Sequence, residues 1–328
     1  MPDLIGGTGP SGPPTAFSAL MVGGVPTMGM GGNIPLTNGN YYFVSSLVGL
    51  AGASGNSAQS AVSSVFGAGG AYSLATAANN DVIVCLPGHA ETISSATGAL
   101  MTKSGVRIVG MGTGTFTPTF TLGTANTTAI TVSADNQSFD NCRFIANFLS
   151  IAACFVLTTA KWFSVTKCYF YDTTSILNFL NIVKSTSGAN TVDGLTFSGN
   201  TVKNLGVTSN NTTILSANAI DRLTMVWNNL TWAVQNNAAI GIILTAGVLT
   251  NLDCGYNKGY RPNTTTAGGS LITVTGSTST GWVYNNYVQT LTTATDLLFT
   301  TTVGLAAFNN FVTGVVGASG FLIPAADS

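Results

Sequence analysis

The feature that most constrains this chain of 328 residues is a loose repeat, about 28 residues long, in its middle and C-terminal parts. Each unit is marked by one cysteine or asparagine, with apolar residues at fixed distances on either side. The marked positions are Cys142, Cys168, Asn200, Asn228, Asn257, Asn285 and Asn309. Self-similarity with a period of roughly 20 to 50 residues is typical of solenoids, in which neighbouring units share one continuous core.

The apolar pattern changes across each marked position. Three positions before it lie Phe139, Val165, Phe197, Met225, Cys254, Trp282 and Ala306. Two positions after it lie Phe144, Phe170, Val202, Leu230, Gly259, Tyr287 and Phe311, all but one of them apolar side chains. Alternate residues of a strand face the same way, so an odd offset followed by an even one indicates a bend between two inward-facing strands.

Two properties of asparagine explain its place at this bend. Asparagine tolerates the left-handed backbone conformation better than most residues other than glycine. Its side-chain amide can also hydrogen-bond to the equivalent amide of the next coil, as in stacked β-structures. Cysteine at the two earliest positions, Cys142 and Cys168, fills the same place as a small apolar residue.

A coil of roughly 24 to 32 residues with two or three short strands is the size of one turn of a parallel β-helix. The sequence therefore predicts an all-β protein, a right-handed parallel β-helix with an extended N-terminal arm. We divide the chain into a Gly/Pro-rich arm (1–40), an N-terminal cap with a strand and short helices (41–80), the β-helix (81–315) and a C-terminal tail (316–328). Within the cap, the candidate helices are residues 61–66 and 71–78, and neither is strongly periodic.

The start of the predicted β-helix resembles a known family. Residues 81–93 and 105–112, preceded by the strand-like segment 42–46, resemble the beginning of the pectate-lyase-like right-handed β-helix superfamily, in a variant found in phage virion proteins. Together with the asparagine-containing coils, the resemblance covers residues 41–315. It implies the fold, and it implies a structural role in a virion. The superfamily also includes lyases, hydrolases, tailspikes and adhesins, so the fold alone does not define the activity.

The composition argues for a protein that associates with other subunits. Only 6% of the residues are charged, against about 25% in a typical soluble domain, and the net charge is −1. The basic residues are scattered singly, so we expect no nucleic-acid partner. Because a surface with few charges is poorly soluble, we expect its outer faces to be buried against copies of the chain or other proteins.

We also expect no membrane partner. The longest uncharged apolar stretch, residues 238–249, is shorter than the roughly 20 residues that cross a bilayer. The first residues lack the charged and apolar regions of a signal peptide, which predicts synthesis in the host cytoplasm.

Two aspartates are the best candidates for chemistry. Asp193 and Asp221 lie seven residues before their marked asparagines, one coil apart, with Arg222 beside them. The resemblance makes a calcium site or a pair of catalytic carboxylates one interpretation. The other interpretation is local hydrogen bonding to the turn, and we prefer it because Lys161 and Thr250 hold the same place in the flanking coils. Calcium takes six to eight oxygen ligands, and two carboxylates are too few.

Other candidate groups are isolated. Glu91 is the only glutamate and lies in a predicted turn beside His89, the only histidine, which we expect at the surface. Glycoside hydrolysis requires two placed carboxyl groups. The Gly-rich segment 110–114 is followed by β-branched and aromatic residues and not by a helix, which argues against a dinucleotide site. The sequence therefore predicts no catalytic residue, no cofactor and no metal ligand.

Aromatic residues precede four successive marked positions: Trp227, Tyr256, Tyr284 and Phe308. Such a column stacks along one wall or against another subunit, or it provides a strip on which sugars stack. We prefer packing, and the sequence leaves the glycan alternative open.

These observations predict a non-enzymatic bacteriophage virion protein, a capsid decoration or cement protein on the capsid surface. Its expected partners are itself, as a homotrimer by resemblance to the family, and the major capsid protein or other virion subunits. The first alternative is a receptor-binding tail fibre or tailspike that binds host glycans. The second is a polysaccharide lyase or hydrolase.

Overall fold

The computed structural model describes residues 21–22, 25–26, 34–94, 99–186, 188–206, 212–232, 241–245, 247–261, 272–274, 278–290, 304–313 and 319–321. It divides into two compact units, the first formed by residues 1–91 and 105–118 and the second by residues 92–104 and 119–328. Most of the predicted arm and tail lies outside the described residues. Within the arm, Met21–Val22 pairs antiparallel with Val25–Pro26.

The first unit contains a parallel sheet of Tyr41–Val44, Val82–Cys85 and Arg107–Gly110, in that order. All four residues of the central strand Val82–Cys85 are buried. Both faces of this strand are covered, which is why it is a continuous apolar run and not an alternating one. The strands predicted in these segments are confirmed.

The helices of the cap are shorter than predicted. A 3₁₀ helix spans Ala58–Ser60, an α-helix spans Ala71–Leu74, and a second 3₁₀ helix spans Gly114–Phe116. The helix predicted at 61–66 is wrong, because Val62 makes parallel β-bridges to Val44 and Leu50. A small apolar side chain at a sheet edge gains more from this pairing than from a short helix.

The second unit is built of coils that each add strands to parallel sheets. The strands of the first sheet are Ser138–Asp140, Ser164–Thr166, Thr196–Ser198, Thr224–Val226, Leu252–Gly255, Gly281–Tyr284 and Leu305–Phe308. Those of the second sheet are Thr119–Leu122, Arg143–Ala146, Tyr169–Asp172, Thr201–Asn204, Asn229–Trp232, Lys258–Arg261, Tyr287–Thr290 and Phe311–Thr313. Those of the third sheet are Ala99–Met101, Ile130–Val132, Phe155–Leu157, Asn181–Ser185, Thr212–Ser216, Gly241–Thr245 and Ile272–Val274.

A few strands complete the second unit or reach its boundary. Ser319–Phe321, within the predicted tail, pairs antiparallel with Phe311–Thr313. Ile220–Asp221 pairs in parallel with Leu249–Thr250 at a corner. The strand Ala90–Ile93 lies across the boundary between the two units.

The prediction of an all-β parallel solenoid is therefore confirmed. A right-handed connection is the usual one between parallel strands, and for this chain the handedness stays a prediction.

The interior of the second unit is a stack of aromatic rings. Phe120, Phe144 and Phe170 stand in register on neighbouring strands of the second sheet, with ring centroids 5.6 and 5.2 Å apart. Phe155 of the third sheet lies 5.0 Å from Phe144 and 5.2 Å from Phe139 of the first sheet. Because rings from all three sheets meet, the coils share one apolar core.

A ladder of buried asparagines connects the coils at the corner between the first and second sheets. Its members are Asn200, Asn228, Asn257, Asn286 and Asn310, each at most 1% exposed. The side-chain oxygen of each accepts the backbone N–H of the equivalent residue in the preceding coil, at 2.8 to 3.1 Å. Each side-chain nitrogen donates to a backbone carbonyl of that coil, at 2.8 to 3.0 Å.

Two members of the predicted ladder are wrong by one residue. The structure uses Asn286 and Asn310, where the repeat had indicated Asn285 and Asn309. The left-handed conformation also belongs to the residue before the ladder, with φ between 51° and 66°. That corner is formed by Asn141, Lys167, Gly199, Trp227, Tyr256, Asn285 and Asn309. In the last two coils, two asparagines follow each other. The first takes the left-handed conformation, and the second makes the hydrogen bonds to the preceding coil.

The corrected register changes which side chains face outward in the last coils. Trp282 was expected to face the core and is instead 58% exposed, whereas Val283 is buried. Tyr287 likewise faces outward, and Val288 takes the interior place. The outer face of the first sheet therefore carries a tryptophan that the sequence pattern had assigned to the core.

Candidate functional site

Asp193 and Asp221 lie at the corner where coils enter the first sheet. The side-chain oxygen Asp193 Oδ1 accepts the backbone N–H of Asp221 at 2.9 Å. Two coils earlier, Asp135 Oδ1 accepts the backbone N–H of Lys161 at 2.8 Å. These carboxylates hydrogen-bond to the next coil, and not to their own turn as expected. Their shared role is to join successive coils.

Both predicted carboxylates also have side-chain partners. Lys161 Nζ lies 3.6 Å from Asp193 Oδ2, and Arg222 Nε lies 3.1 Å from Asp221 Oδ2. The Thr250 hydroxyl and the Asn251 amide each donate to Asp221 Oδ1 at 2.8 Å. Hydrogen bonds from Thr250 and Asn251, and then the nearby Arg222, lower the pKa of Asp221. Such donors favour the ionised form of the carboxylate, as suits a group that bridges two coils.

Arg222 contacts an aromatic ring as well as Asp221. Its guanidinium carbon lies 4.7 Å from the centroid of the Trp162 ring, two coils away. The intervening Gly194 leaves the room for this contact, because a Cβ there would lie 2.2 Å from the Trp162 ring. Cation–π contact therefore accounts for the place of Arg222. Within the described part of the chain, no three His, Cys, Asp or Glu side chains form a group that could hold a metal ion.

His89 is buried, and its predicted surface position is wrong. It is 1% exposed, and its Nδ1 accepts the backbone N–H of Ser46 at 3.0 Å. Its Nε2 lies 3.3 Å from Glu91 Oε2. Glu91 lies in a strand and not in a turn, and it also accepts the backbone N–H groups of Val65 and Phe66, at 2.7 and 2.9 Å. The pair fastens the cap segments to the strand, and Nδ1 is not available as the base of a nucleophile.

Replacing His89 by alanine should therefore reduce stability. The change removes the buried imidazole that accepts the Ser46 N–H and contacts Glu91, so we expect a loss of about 2 kcal/mol in the free energy of unfolding. Thermal and urea unfolding measure it. The control is Leu47→Ala, because Leu47 lies in the same loop and is 72% exposed. This variant should change the free energy of unfolding by no more than about 0.5 kcal/mol. Equal stabilities of the two variants would contradict the role of His89.

Asp172 is a buried carboxylate that the sequence analysis missed. It is 1% exposed, and it accepts the backbone N–H groups of Phe179 at 2.9 Å and Leu205 at 2.8 Å. Burial raises its pKa to about 7, although these bonds and one from Gly206 favour the ionised form. The alternation of strand residues could have indicated its burial, because Asp172 follows the inward-facing Phe170 by two residues and so faces the same way.

This carboxyl should make stability depend on pH. Its folded-state pKa of about 7 lies above the unfolded value near 3.8, so the folded state binds the extra proton between these values. The free energy of unfolding should then fall as pH rises, by about 2–3 kcal/mol between pH 5 and 8. Melting temperatures across this range test it. Asp172→Asn should remove this component of the slope; parallel slopes in both proteins would be the contrary result.

The predicted aromatic column exists, with the stated shift in register. Trp227 and Tyr256 stack at 4.1 Å with planes 3° apart, and Tyr284 and Phe308 stack at 5.3 Å. Tyr256 and Tyr284 meet edge to face at 5.4 Å. We call these four residues the aromatic strip. Each ring contacts at least one other ring of the strip, which favours the packing interpretation over four separate sugar platforms.

A hollow lies beside the end of the aromatic strip, on the outer face of the first sheet. It has a volume of about 490 Å³. Its lining is Asn251, Leu252, Asp253, Thr280, Gly281, Trp282, Gly304 and Ala306. Trp282 stands in register with Asp253 on one side and Ala306 on the other. Sequence analysis missed this site because it placed Trp282 in the core.

The fold and these sites define the class of the molecule: a parallel β-helix protein whose corners are held by amide and carboxylate bonds between coils. No family model and no curated protein matches the sequence. Among solved structures, the chain is similar to one titled "Rhamnogalacturonan lyase", at 12% identity and a TM-score of 0.43. The similarity covers 87% of this chain and 90% of that one.

Proposed function

We propose that this chain is a non-enzymatic structural protein of a bacteriophage virion, a decoration or cement protein that associates with copies of itself and with the capsid shell. The observation that carries the proposal is the combination of a charge-poor chain with exposed large apolar side chains. Only 21 of 328 residues are charged at neutral pH, 10 basic and 11 acidic. In the first unit, Leu47, Leu50 and Phe116 are 72, 71 and 64% exposed.

The second unit presents similar surfaces. Trp227 and Trp282 are 62 and 58% exposed, and Tyr169 and Tyr287 on the second sheet are 47 and 46% exposed. Exposed apolar groups that lie next to each other mark surfaces that bind other proteins or ligands, and Trp227 and Trp282 each contact another exposed ring, Tyr256 and Phe308. Association would bury them, and the few charges would oppose it little. The homotrimer, the major capsid protein as partner and synthesis in the host cytoplasm are parts of this proposal.

The non-enzymatic part of the proposal is supported by the engaged carboxylates. Asp193 and Asp221 join coils, and Glu91 joins the cap to a strand. A polysaccharide lyase or hydrolase would need a carboxyl or basic group directed at substrate, and these three carboxylates are bonded to other parts of the chain instead. Among the described residues, no helix has the length and apolar character needed to cross a bilayer.

Two measurements test the proposal. Analytical ultracentrifugation at micromolar concentration should show a discrete oligomer, and the labelled protein should co-sediment with capsid shells made of the major capsid protein. A protein that is monomeric and does not co-sediment with the capsid shells would contradict both self-association and capsid binding. Immunogold labelling of purified virions gives the position, on the capsid or on the tail.

A receptor-binding tail fibre or tailspike is the second candidate function. The observation that favours it is the hollow beside Trp282, because an exposed tryptophan next to fixed polar groups suits glycan binding. Saturable binding of host glycans by the purified protein is its test.

A further inference from the structure

We infer that the hollow beside Trp282 is a binding site for a pyranose ring of a neutral glycan. The inference deepens the second candidate function and rests on it. The hollow adjoins the corner aspartates and the aromatic strip, and its lining includes none of those residues. Four observations carry the inference: the position of Trp282, the shape of the hollow, its fixed polar groups and its electrostatics.

The position of Trp282 has no explanation in the core. It is 58% exposed on a strand whose next residue, Val283, supplies the interior side chain. Its ring meets the Phe308 ring edge to face at 6.0 Å, which steadies the ring and leaves much of its surface open. The C–H groups of a pyranose pack against such an open aromatic face, where water is displaced from both surfaces.

Small residues create the hollow next to the ring. Gly281 has φ +137°, and a Cβ there would lie 2.3 Å from backbone atoms of Leu252. Gly304 has φ +84°, and a Cβ there would lie 2.1 Å from the Ser279 carbonyl oxygen. The backbone therefore requires glycine at both places, and Ala306 adds only a methyl group. The volume of about 490 Å³ lies within the range of small-molecule sites, roughly 300 to 1,000 Å³.

The polar groups of the hollow are held in place by other residues. Asp253 Oδ1 accepts the Tyr284 hydroxyl at 2.9 Å. The Asn251 side-chain nitrogen donates to Asp221 at 2.8 Å, and the Thr280 hydroxyl oxygen accepts the Asn251 backbone N–H at 3.2 Å. A carboxylate, an amide and a hydroxyl fixed around one aromatic face match the alternating hydroxyl and C–H surfaces of a sugar. Fixed groups lose little conformational entropy when the ligand binds.

The electrostatics favour a sugar without acidic groups. Burial, and then the bond to Asp253, raise the pKa of Tyr284 to about 12, so its hydroxyl stays protonated as the donor. The Asp253 carboxylate then accepts from sugar hydroxyl groups with its remaining lone pairs. No Lys or Arg lines the hollow. An acidic sugar would meet Asp253 without a compensating cation, which is why the inference names a neutral glycan.

The experiment uses the full chain and three neutral probes, maltohexaose, cellohexaose and mannohexaose. Tryptophan fluorescence and calorimetry measure binding, and saturation-transfer NMR identifies the bound sugar protons. We expect saturable binding of at least one probe, weakened at least tenfold by Trp282→Ala and severalfold by Asp253→Asn. Matched controls are Trp227→Ala, an equally exposed tryptophan of the strip, and Asp140→Asn on the same sheet. Both controls should bind as the parent does.

The outcomes separate the site from the function. Binding that survives both Trp282→Ala and Asp253→Asn, in variants with parent-like circular dichroism, overturns the site and leaves glycan binding by the chain in place. Binding lost equally in Trp227→Ala assigns it to the strip and also overturns the site. No saturable binding of any probe at millimolar concentration overturns the inference and the second candidate function together. Self-association, which belongs to the first candidate function, is measured independently of these three glycan-binding outcomes.

Discussion

Replacing Asn286 by alanine should lower the free energy of unfolding by about 3–4 kcal/mol. Asn286 Oδ1 accepts the Asn257 backbone N–H at 3.0 Å and the Asn257 side-chain nitrogen at 2.9 Å. Its own side-chain nitrogen donates to the Cys254 carbonyl at 3.0 Å. All of these groups are buried, so alanine removes the acceptor of the Asn257 backbone N–H and one donor to the Cys254 carbonyl where water cannot replace them, while the Asn257 side-chain nitrogen keeps its bond to the Met225 carbonyl.

The neighbouring residue gives a matched control. Asn285 has φ 51° and makes no ladder contact through its side chain among the bonds described, so Asn285→Ala should cost only about 1 kcal/mol for the left-handed conformation. Asn285→Gly should be close to neutral. Urea unfolding gives the three energies, and hydrogen exchange at the Asn257 amide reports the local effect. If Asn285→Ala were the more damaging variant, the ladder register described above would be wrong.

This pair of residues also shows where prediction from sequence stops. The repeat length and the alternation of apolar residues are local properties, and they were sufficient to predict the parallel solenoid. Which of Asn285 and Asn286 belongs to the ladder depends on contacts with a distant part of the sequence. Two identical side chains stand side by side, and only the hydrogen bond to Asn257, 29 residues earlier, selects the second. The one-residue shift then reversed the assigned direction of Trp282.

The other errors have the same physical origin. His89 follows a Pro-Gly pair, as a surface residue would, but the Ser46 N–H, 43 residues away, fixes it in the interior. Asp193 and Asp221 were placed in register correctly, but their hydrogen bonds join neighbouring coils and not their own turns as expected. Prediction of the hollow would have required the correct register and the pairing of two glycines from different coils, Gly281 and Gly304, and no local sequence pattern indicates either.

The carboxylates and the amides have complementary places in the coil. The amide ladder lies where each coil leaves the first sheet, and the aspartates lie where a coil enters it. At both corners the residue in the left-handed conformation turns the chain, and the side chain of its neighbour bonds to an adjacent coil, the preceding one for the amides and the next one for Asp193. Most contacts of a solenoid are between adjacent coils, so these corner bonds contribute directly to the register between one coil and the next.

Replacing Phe155 by alanine should have the largest effect, a loss of about 3–5 kcal/mol in the free energy of unfolding. Phe155 is fully buried, with its ring centroid 5.2 Å from Phe139, 5.0 Å from Phe144 and 5.3 Å from Phe163. Alanine removes the ring at which the three sheets meet. The flanking coils are bonded to each other through their backbones and cannot move together to fill the cavity.

The test separates the cavity from a loss of hydrophobicity in general. Phe155→Leu keeps most of the apolar volume, so it should cost about half as much or less. Tyr169→Ala, on the outer face of the second sheet and 47% exposed at Tyr169, should cost less than about 1 kcal/mol. Denaturant unfolding at equal protein concentration measures all three, since self-association would otherwise shift the apparent stabilities. A Phe155→Ala variant as stable as Tyr169→Ala would show that the coils do not share one rigid aromatic core.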